Sequence, residues 1–402
     1  MDNYTSLNWK DNSHPFRRDL RTACLDRVNW TALTAYASAL NNNIPCTLLT
    51  KSTTGGVHLI RILEFADTNA RTNTKTKIHW IARVQLEPST PSTATALRAE
   101  IATMQLIRAQ AGKYVPVPEI FGYEVDDANC VGAAFILMEI LPGSSAMDAC
   151  GGWEVHRGRI PDVWRRGFYR EMAGIQVHLS GIRMAKIGTI VKQLDGSFGV
   201  GPLPGLGGPF DTATEFFRAW ATHAEFPLTD ERIRNCMKGG PVEEVLSSIR
   251  DFPRRLHELA SRIALYNEGP FPLYHPDLYQ SNVIVDDSFR VLGVIDWEGA
   301  CTVPWEMVQP PLFLSVLPRA MDDPSNYDAS GGPKDQDSIQ RLKERDEYVQ
   351  YVGDAEKELG IDNMLSTVLS DGAIQGLAYA IKVYLDPGKM GFYCNALEPF
   401  DS

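Results

Sequence analysis

Phe271–Glu298, FPLYHPDLYQSNVIVDDSFRVLGVIDWE, is the stretch around which the rest of the chain can be arranged. Its short apolar runs and polar breaks predict strand, loop, strand, tight turn, strand. The loop holds His275, Asp277 and Asn282 in the spacing H-x-D-x-x-x-x-N. Two β-rich runs follow, Val283–Asp286 and Val291–Ile295, with a turn at Asp287–Ser288 between them, and the second run ends on Asp296. A hairpin folds its second strand back along its first, so the loop and Asp296 come close together in space. Two carboxylates and an amide oxygen would then sit at the mouths of apolar strands, where they can take a proton or a hard cation. The plain alternative is a β-hairpin that carries acidic residues at its ends by chance.

Phosphoryl transfer from a nucleotide asks for this set of groups. One carboxylate must orient the attacking hydroxyl and accept its proton. A second carboxylate and an amide oxygen must hold Mg²⁺ against the phosphates, because positioning and charge neutralisation carry nearly all of the catalysis. Asp277 suits the first role, and Asn282 with Asp296 suits the second. The spacing resembles the catalytic loop and metal aspartate of protein kinases, with Trp297–Glu298 after the aspartate in place of Phe–Gly. No long activation segment follows, since Cys301–Trp305 starts a new element at once. These features resemble the aminoglycoside phosphotransferase (APH) and choline kinase-like family. The wording IQVHLSGIRMAKIGTI (residues 175–190) and DGSFGVGPLP (195–204) is similar to that of fungal-type APH-domain proteins.

The resemblance spans about residues 45–320. It implies an α+β, protein-kinase-like fold of two lobes. Residues 1–28 would be an N-terminal arm. Residues 29–140 would form an N-lobe of antiparallel sheet plus helix, and 141–402 a mostly helical C-lobe that contains the catalytic loop, 274–298. ATP and Mg²⁺ would lie between the lobes. Arg83 would hold phosphates, positioned by Glu100. Gly55 and Gly56 would let a hairpin backbone approach the phosphates. Backbone groups of Glu139 and Leu141 would pair with adenine, with Met138 behind the base. His275 would hold the loop by packing or hydrogen bonds. Glu298 would face a cationic substrate or the metal's outer shell, or else make a structural hydrogen bond.

The totals agree with a globular enzyme-sized chain. The 402 residues suggest two domains or one large two-lobed one. A hydrophobic content of 44% is enough for a full core. The net charge of −11 argues against non-specific nucleic-acid binding and against an anionic membrane surface. Seven scattered cysteines form no C-x-x-C and no even framework, which suggests a reducing, cytoplasmic setting. The N-terminal residues MDNYTSLNWKDN contain no signal-peptide core, and no apolar run reaches the ~18 residues a membrane helix needs.

In chain order, a short helix is expected at Arg17–Arg27. A second should run from Trp30 to Leu40, with Asn29 as N-cap. A β-meander follows at Cys46–Lys51, Val57–Phe65 and His79–Leu86, its first turn being Ser52–Gly56. Gly-Gly hairpins often only turn. Asp67–Lys77 reads as a polar loop. The third strand, WIARVQLE, carries Arg83 on a mostly apolar run, and a helix over Ala94–Gln110 carries Glu100. Protein kinases use Lys where this chain has Arg83, and the two could also be a plain surface ion pair. Val115–Tyr123 must be extended by its prolines. A strand at Ala134–Ile140 then breaks at Leu141–Gly143. Further helices are expected at Trp164–Gly181, Thr212–Ala221 and Val242–Tyr266, with a hairpin at 187–203 and a helix-bearing excursion at Ala224–Gly240. Met321–Gln336 reads as a surface loop or lid. Helices at Asp337–Leu359 and Asn363–Tyr384 close the chain, the first a solvated, charged one.

The expected activity is ATP- and Mg²⁺-dependent phosphorylation of a hydroxyl on a small molecule whose identity the motif does not give. Two other readings stay open. The chain could be a kinase-fold nucleotide- or metabolite-binding protein without transfer activity, or it could use the scaffold for a different reaction.

Overall fold

The computed structural model describes residues 15–66, 78–237 and 240–401. The loop expected at Asp67–Lys77 and the first part of the expected N-terminal arm lie outside these residues.

A central strand organises the first lobe. His79–Gln85 (β3) lies inside the sheet order β1-β2-β3-β5-β4, formed with Cys46–Thr54 (β1), His58–Phe65 (β2), Ile120–Glu124 (β4) and Phe135–Glu139 (β5); every neighbouring pair is antiparallel. Alternation along the strand splits its side chains between two faces. Trp80, Ala82 and Val84 join Phe135 and Leu137 in one core, while Ala134 and Ile136 pack on Leu97 and Ile101 of the other. Arg83 falls on the second face. There the helix Pro91–Ala111 (α3) covers the sheet. This helix starts earlier than apolar spacing predicts. Thr90 caps it reciprocally with Thr93, and Pro91 occupies its first turn, where a missing N–H costs nothing.

Two helices cover the opposite face. Pro15–Arg27 (α1) and Trp30–Leu40 (α2) bring Cys24, Val28, Leu33 and Ala37 into the Trp80 core. α1 is the short helix expected at Arg17–Arg27, and it packs on the lobe. Asn29 caps α2 through Ala32 N at 3.0 Å. β1 continues beyond Lys51, because a register shift between Leu48 and Ser52 lets Ser52–Thr54 pair with Leu59–Arg61. The hairpin turn therefore shrinks to Gly55–Val57.

The second lobe is mainly helical. Ser144–Ser145 (β6) and Gly152–His156 (α4) lead to the core helix Asp162–Ser180 (α5). Short strands Arg183–Met184 (β7), Gly188–Lys192 (β8) and Phe198–Gly201 (β9) follow, the last two forming a hairpin turned at Asp195–Gly196. Helices Ala213–His223 (α6), Asp230–Cys236 (α7) and Val242–Ile263 (α8) build a second core with Phe217, Ile249 and Phe252 at its centre. Phe271–Glu298 forms Phe271–Tyr274 (β10), Val283–Val285 (β11) and Val291–Val294 (β12), and Cys301–Thr302 (β13) pairs back onto β10.

Two expectations for the C-terminal part change. Gln336–Leu359 (α9) forms, but the last expected helix is two: Met364–Ser370 (α10) and Gly372–Val383 (α11). Asp371 separates them, its carboxylate accepting from Ala373 N and Ile374 N as an N-cap. The chain then does not end on that helix. A 3₁₀ run, Tyr393–Phe400, inserts Tyr393, Leu397 and Phe400 into the second core. Among the described residues no helix is long and apolar enough to cross a membrane. All seven cysteines are unpaired.

Candidate active site

The loop between β10 and β11 is fixed by its own polar residues. His275 is buried; its Nδ1 accepts from Asp277 N (3.1 Å), which leaves Nε2–H to donate to the Ile295 carbonyl (3.2 Å). Its ring also meets the edge of Trp297 at 4.7 Å. Burial pushes its pKa below the ordinary histidine range, so the ring is a neutral strut. Asn282 closes the loop from the other end. Its Nδ2 donates to both the Asp277 carbonyl and Asp277 Oδ2, each at 2.9 Å. Its own carbonyl receives Ile295 N at 2.9 Å. The loop and the end of β12 are therefore tied together at two points, which sets Asp296 beside Asn282.

Asp296 itself has φ = 62°, the left-handed region that a non-glycine side chain rarely occupies. Such a conformation costs free energy and persists only where its surroundings enforce it. Trp297, fully buried with its Nε1 donating to Val294 O at 3.0 Å, is the anchor that turns the Asp296 carboxylate out into the cleft.

From the first lobe, Arg83 reaches across. Its Nη2 donates to Asp296 Oδ1 at 3.1 Å, and its Nη1 is bonded to Glu100. The Arg83 and Glu100 side chains are 9% and 2% exposed, so this is a buried pair and not a surface one. Burial opposes the guanidinium's charge, but Glu100 and Asp296 outweigh it, and Arg83 stays firmly protonated. Burial pushes Glu100 above its ordinary value; Arg83 offsets only part of this, while Asp296 and Glu298 add to it. Three carboxylates thus share one guanidinium. The local excess of negative charge suits a divalent cation.

A cavity of about 360 Å³ lies over these groups. Arg83, Glu100, Asn282, Asp296 and Glu298 line it from below; Gly55, Gly56, Val57 and His58 line it from the first hairpin, and Met138 and Pro118 close its inner end. Glu139 and Leu141 do not line it. The Glu139 N–H is already taken by the Glu119 carbonyl at 2.8 Å, so only its carbonyl remains for a base. Asp277 is exposed at the outer side of Asn282. A Cβ added at Gly55 or Gly56 would meet nothing within 4 Å, and neither has a positive φ. The fold does not itself require glycine at either position.

Two neighbours escape a reading of the sequence. His58 sits next to the glycine pair, and burial, then Arg83, push its pKa down to about 3, so it is neutral there. Lys382, near the end of α11, donates from Nζ to the Pro276 carbonyl at 2.7 Å, beside Asp277. No periodicity or motif links Lys382 to a loop 106 residues away.

Among the described residues no three His, Cys, Asp or Glu side chains converge into a metal cage. An amide oxygen from Asn282 and a carboxylate from Asp296 fit a Mg²⁺ ion, which takes few protein ligands and completes its shell with water and phosphate oxygens.

A sequence model described as the phosphotransferase enzyme family (APH) matches residues 63–306. Among curated proteins, the Saccharomyces cerevisiae protein "Altered inheritance of mitochondria protein 9, mitochondrial" is 35% identical over 79 residues, which is 20% of this chain and 11% of that protein. The chain matches only this small part of the yeast relative's length. Among solved structures, a Plasmodium vivax ethanolamine kinase is similar at 12% identity and a TM-score of 0.42, over 92% of this chain and 86% of that one. The ADP-bound aminoglycoside phosphotransferase APH(2'')-Ib is similar at 12% identity and a TM-score of 0.43, over 91% and 96%. The family model covers more than half of the chain and contains β3, α3, the His275–Asn282 loop and Asp296, and on that match the chain belongs to the phosphotransferase enzyme family.

Proposed function

We propose that this chain transfers the γ-phosphoryl group of ATP, with Mg²⁺, to a hydroxyl of a small molecule. The observation that carries the reading is one continuous polar chain: Asp277 to Asn282, Asn282 through Ile295 to Asp296, Asp296 to Arg83, and Arg83 to Glu100. It joins a candidate base, two candidate metal ligands and a candidate phosphate cation from both lobes into one site.

In this reading Asp277 Oδ2 is held by Asn282, and its other oxygen orients the acceptor hydroxyl. The acceptor oxygen forms the new bond to the γ-phosphorus as the bond to the β–γ bridging oxygen breaks, and ADP leaves. Asp277 takes the hydroxyl proton late, because a loose transition state asks little of a base. Asn282 and Asp296 would hold Mg²⁺, which when bound supplies neutralising charge at the phosphates. Arg83 moves its second donor pair from Asp296 to phosphate oxygens, while Glu100 keeps it in place. Gly55 and Gly56 leave open space over the cavity in which phosphates can approach the hairpin backbone. Met138 packs beneath the base.

A second reading has its own observation. Arg83 is itself bonded to Asp296, and a chain that only binds nucleotide could keep that contact in place of a metal. The test separates the two. Purified protein is incubated with ATP, Mg²⁺ and a panel of hydroxyl-bearing metabolites, and products are read by mass. A product heavier by one phosphoryl group, with Asp277→Ala turnover lower by about 10²-fold or more and nucleotide binding unchanged, supports transfer. Nucleotide binding with no product across the panel supports the binding protein. Undiminished turnover in Asp277→Ala removes Asp277 from the role given to it.

A further inference from the structure

A cavity of about 1090 Å³ lies in the second lobe, apart from the cleft, and none of residues 271–298 lines it. The segment from Val316 to Asp335 forms one side, α9 another and the junction of α10 with α11 a third, and Asn395, Ala396 and Pro399 of the 3₁₀ run complete the wall. Its wall is mainly apolar where Leu342, Val349, Leu369 and Ala373 face it.

One charged group in this wall stands out. Arg345, on α9, is half-buried and opens both into this cavity and into a small neighbouring one beside Gln309 and Tyr379. Among the described residues nothing accepts a hydrogen bond from its guanidinium, and no carboxylate comes within ion-pair distance. Burial disfavours its charge, and Asp346 supports it only from further away. The other acids of the wall are occupied. Asp322 accepts from Asn326 Nδ2 and Tyr327 Oη, and Asp335 caps α9 through Ser338 N. Arg319, on the facing segment, lies over the Tyr327 ring at 5.7 Å and also has no carboxylate partner among the described residues. In a chain of net charge −11, two guanidiniums left without an acid on one hollow are unexpected. A partly desolvated guanidinium with five free donors is complementary to a planar or tetrahedral oxyanion. A roomy, mostly apolar cavity with a few polar groups is the usual form of a small-molecule site.

We propose that this cavity is a second ligand site, for a small amphipathic anion whose carboxylate or phosphate head pairs with Arg345 and whose apolar body lies against Leu342, Val349, Leu369 and Ala373. The site is separate from the nucleotide cleft and does not depend on the activity proposed for it.

The test titrates the whole chain with phenylacetate, phenyl phosphate and, as a neutral control, benzyl alcohol, followed by calorimetry and thermal shift. Saturable binding of one or both anions, with benzyl alcohol at least tenfold weaker, is expected. Which anion binds tells a carboxylate head from a phosphate head. Arg345→Gln should weaken the anion about tenfold or more, the scale of a lost charge-assisted hydrogen bond. Ala373→Phe, which fills the cavity from the opposite wall and keeps Arg345, should abolish binding and stands in if Arg345→Gln fails to fold. Asp277→Ala, at an exposed position in the cleft, should leave binding at this cavity unchanged. No binding of either anion, equal binding of benzyl alcohol, or binding lost in Asp277→Ala but kept in Arg345→Gln would each overturn the proposal.

Discussion

At the scale of single residues, the site is built from groups whose ionisation is set by burial and by one another. Lys382 shows this best. Its ammonium is half-buried against the Pro276 carbonyl, and burial lowers its pKa to about 8, with Asp277 partly opposing the shift. The titratable groups facing it are Asp277 and His275, and burial keeps His275 neutral. As pH rises through about 8, Lys382 loses the charge that steadies the Asp277 side of the loop. Turnover should therefore fall on the alkaline side near that pH, and Lys382→Arg should move the fall upward. The stability effect has the opposite sign. The folded pKa lies below the ordinary lysine value of 10.5, so between about 8 and 10.5 the unfolded chain binds more protons, and this group makes folding more favourable as pH rises. An alkaline loss of turnover without unfolding is thus the expected signature. A flat pH–rate profile from 7 to 10 would remove Lys382 from the site.

Residues that belong to a local pattern were legible in the sequence. Arg83 and Glu100 are pairable because the kinase-like resemblance sets a cation of the third strand against a glutamate of the following helix; in the structure, strand alternation places Arg83 on the α3 side of β3. His58 and Lys382 were not legible. His58 looks like any polar residue after a turn. Lys382 reaches the loop only because α11 docks against the Trp305–Val308 turn and the 3₁₀ run Tyr393–Phe400, which no local pattern encodes.

At the scale of elements, β3 and α3 are joined through a buried ion pair, and this makes a stability prediction. Arg83→Met leaves Glu100 as a nearly inaccessible, unpaired carboxylate, and breaking such a pair costs about 3–5 kcal/mol. Because a matched apolar pair can replace a buried ion pair at little cost, Arg83→Met with Glu100→Met should recover most of the loss. Urea unfolding of both variants checks this. A single variant as stable as the parent would mean that the pair adds nothing to the packing of α3 on the sheet. The elements themselves were read to different depths. α2 was legible to the residue, since Asn29 and a helical apolar period agree. The α10–α11 break was missed because apolar spacing runs on through Ser370–Asp371–Gly372, although Asp371 before Gly372 is a helix-start signal. The 3₁₀ run at Tyr393–Phe400 was missed because its burial comes from the second core, with no period of its own. The charge pattern of α9 predicts a solvated helix, but its inner side carries Tyr348 and Val352 in the core and Arg345 at the second cavity.

At the scale of the whole molecule, the two lobes share one apolar core, in which Met104, Leu106, Ile107 and Val117 join Phe168, Val285 and Val294, and they also meet through polar contacts at the cleft. Val294 N donates to the Pro116 carbonyl at 2.8 Å, and Arg83 bonds Asp296 across 213 residues of chain. Beside the cleft cavity Arg83, Glu100, Asn282, Asp296 and Glu298 make the interface polar, an arrangement that lets a charged ligand replace protein contacts with its own. The general two-lobed plan was legible because one loop motif implied it. The second cavity was not, because its walls come from four separated stretches that share no motif.

The central claim is that Asp296, with Asn282, holds Mg²⁺ for a nucleotide bound between the lobes. A thermal-shift titration with ATP, with and without Mg²⁺, on the parent and on Asp296→Ala tests it most directly, since a ligand that binds only the folded state raises stability by about RT ln(1 + [L]/Kd). The account predicts a saturable, Mg²⁺-dependent rise in Tm for the parent that is lost in Asp296→Ala. No rise with ATP under either condition, or a rise equal in both proteins and indifferent to Mg²⁺, would contradict it.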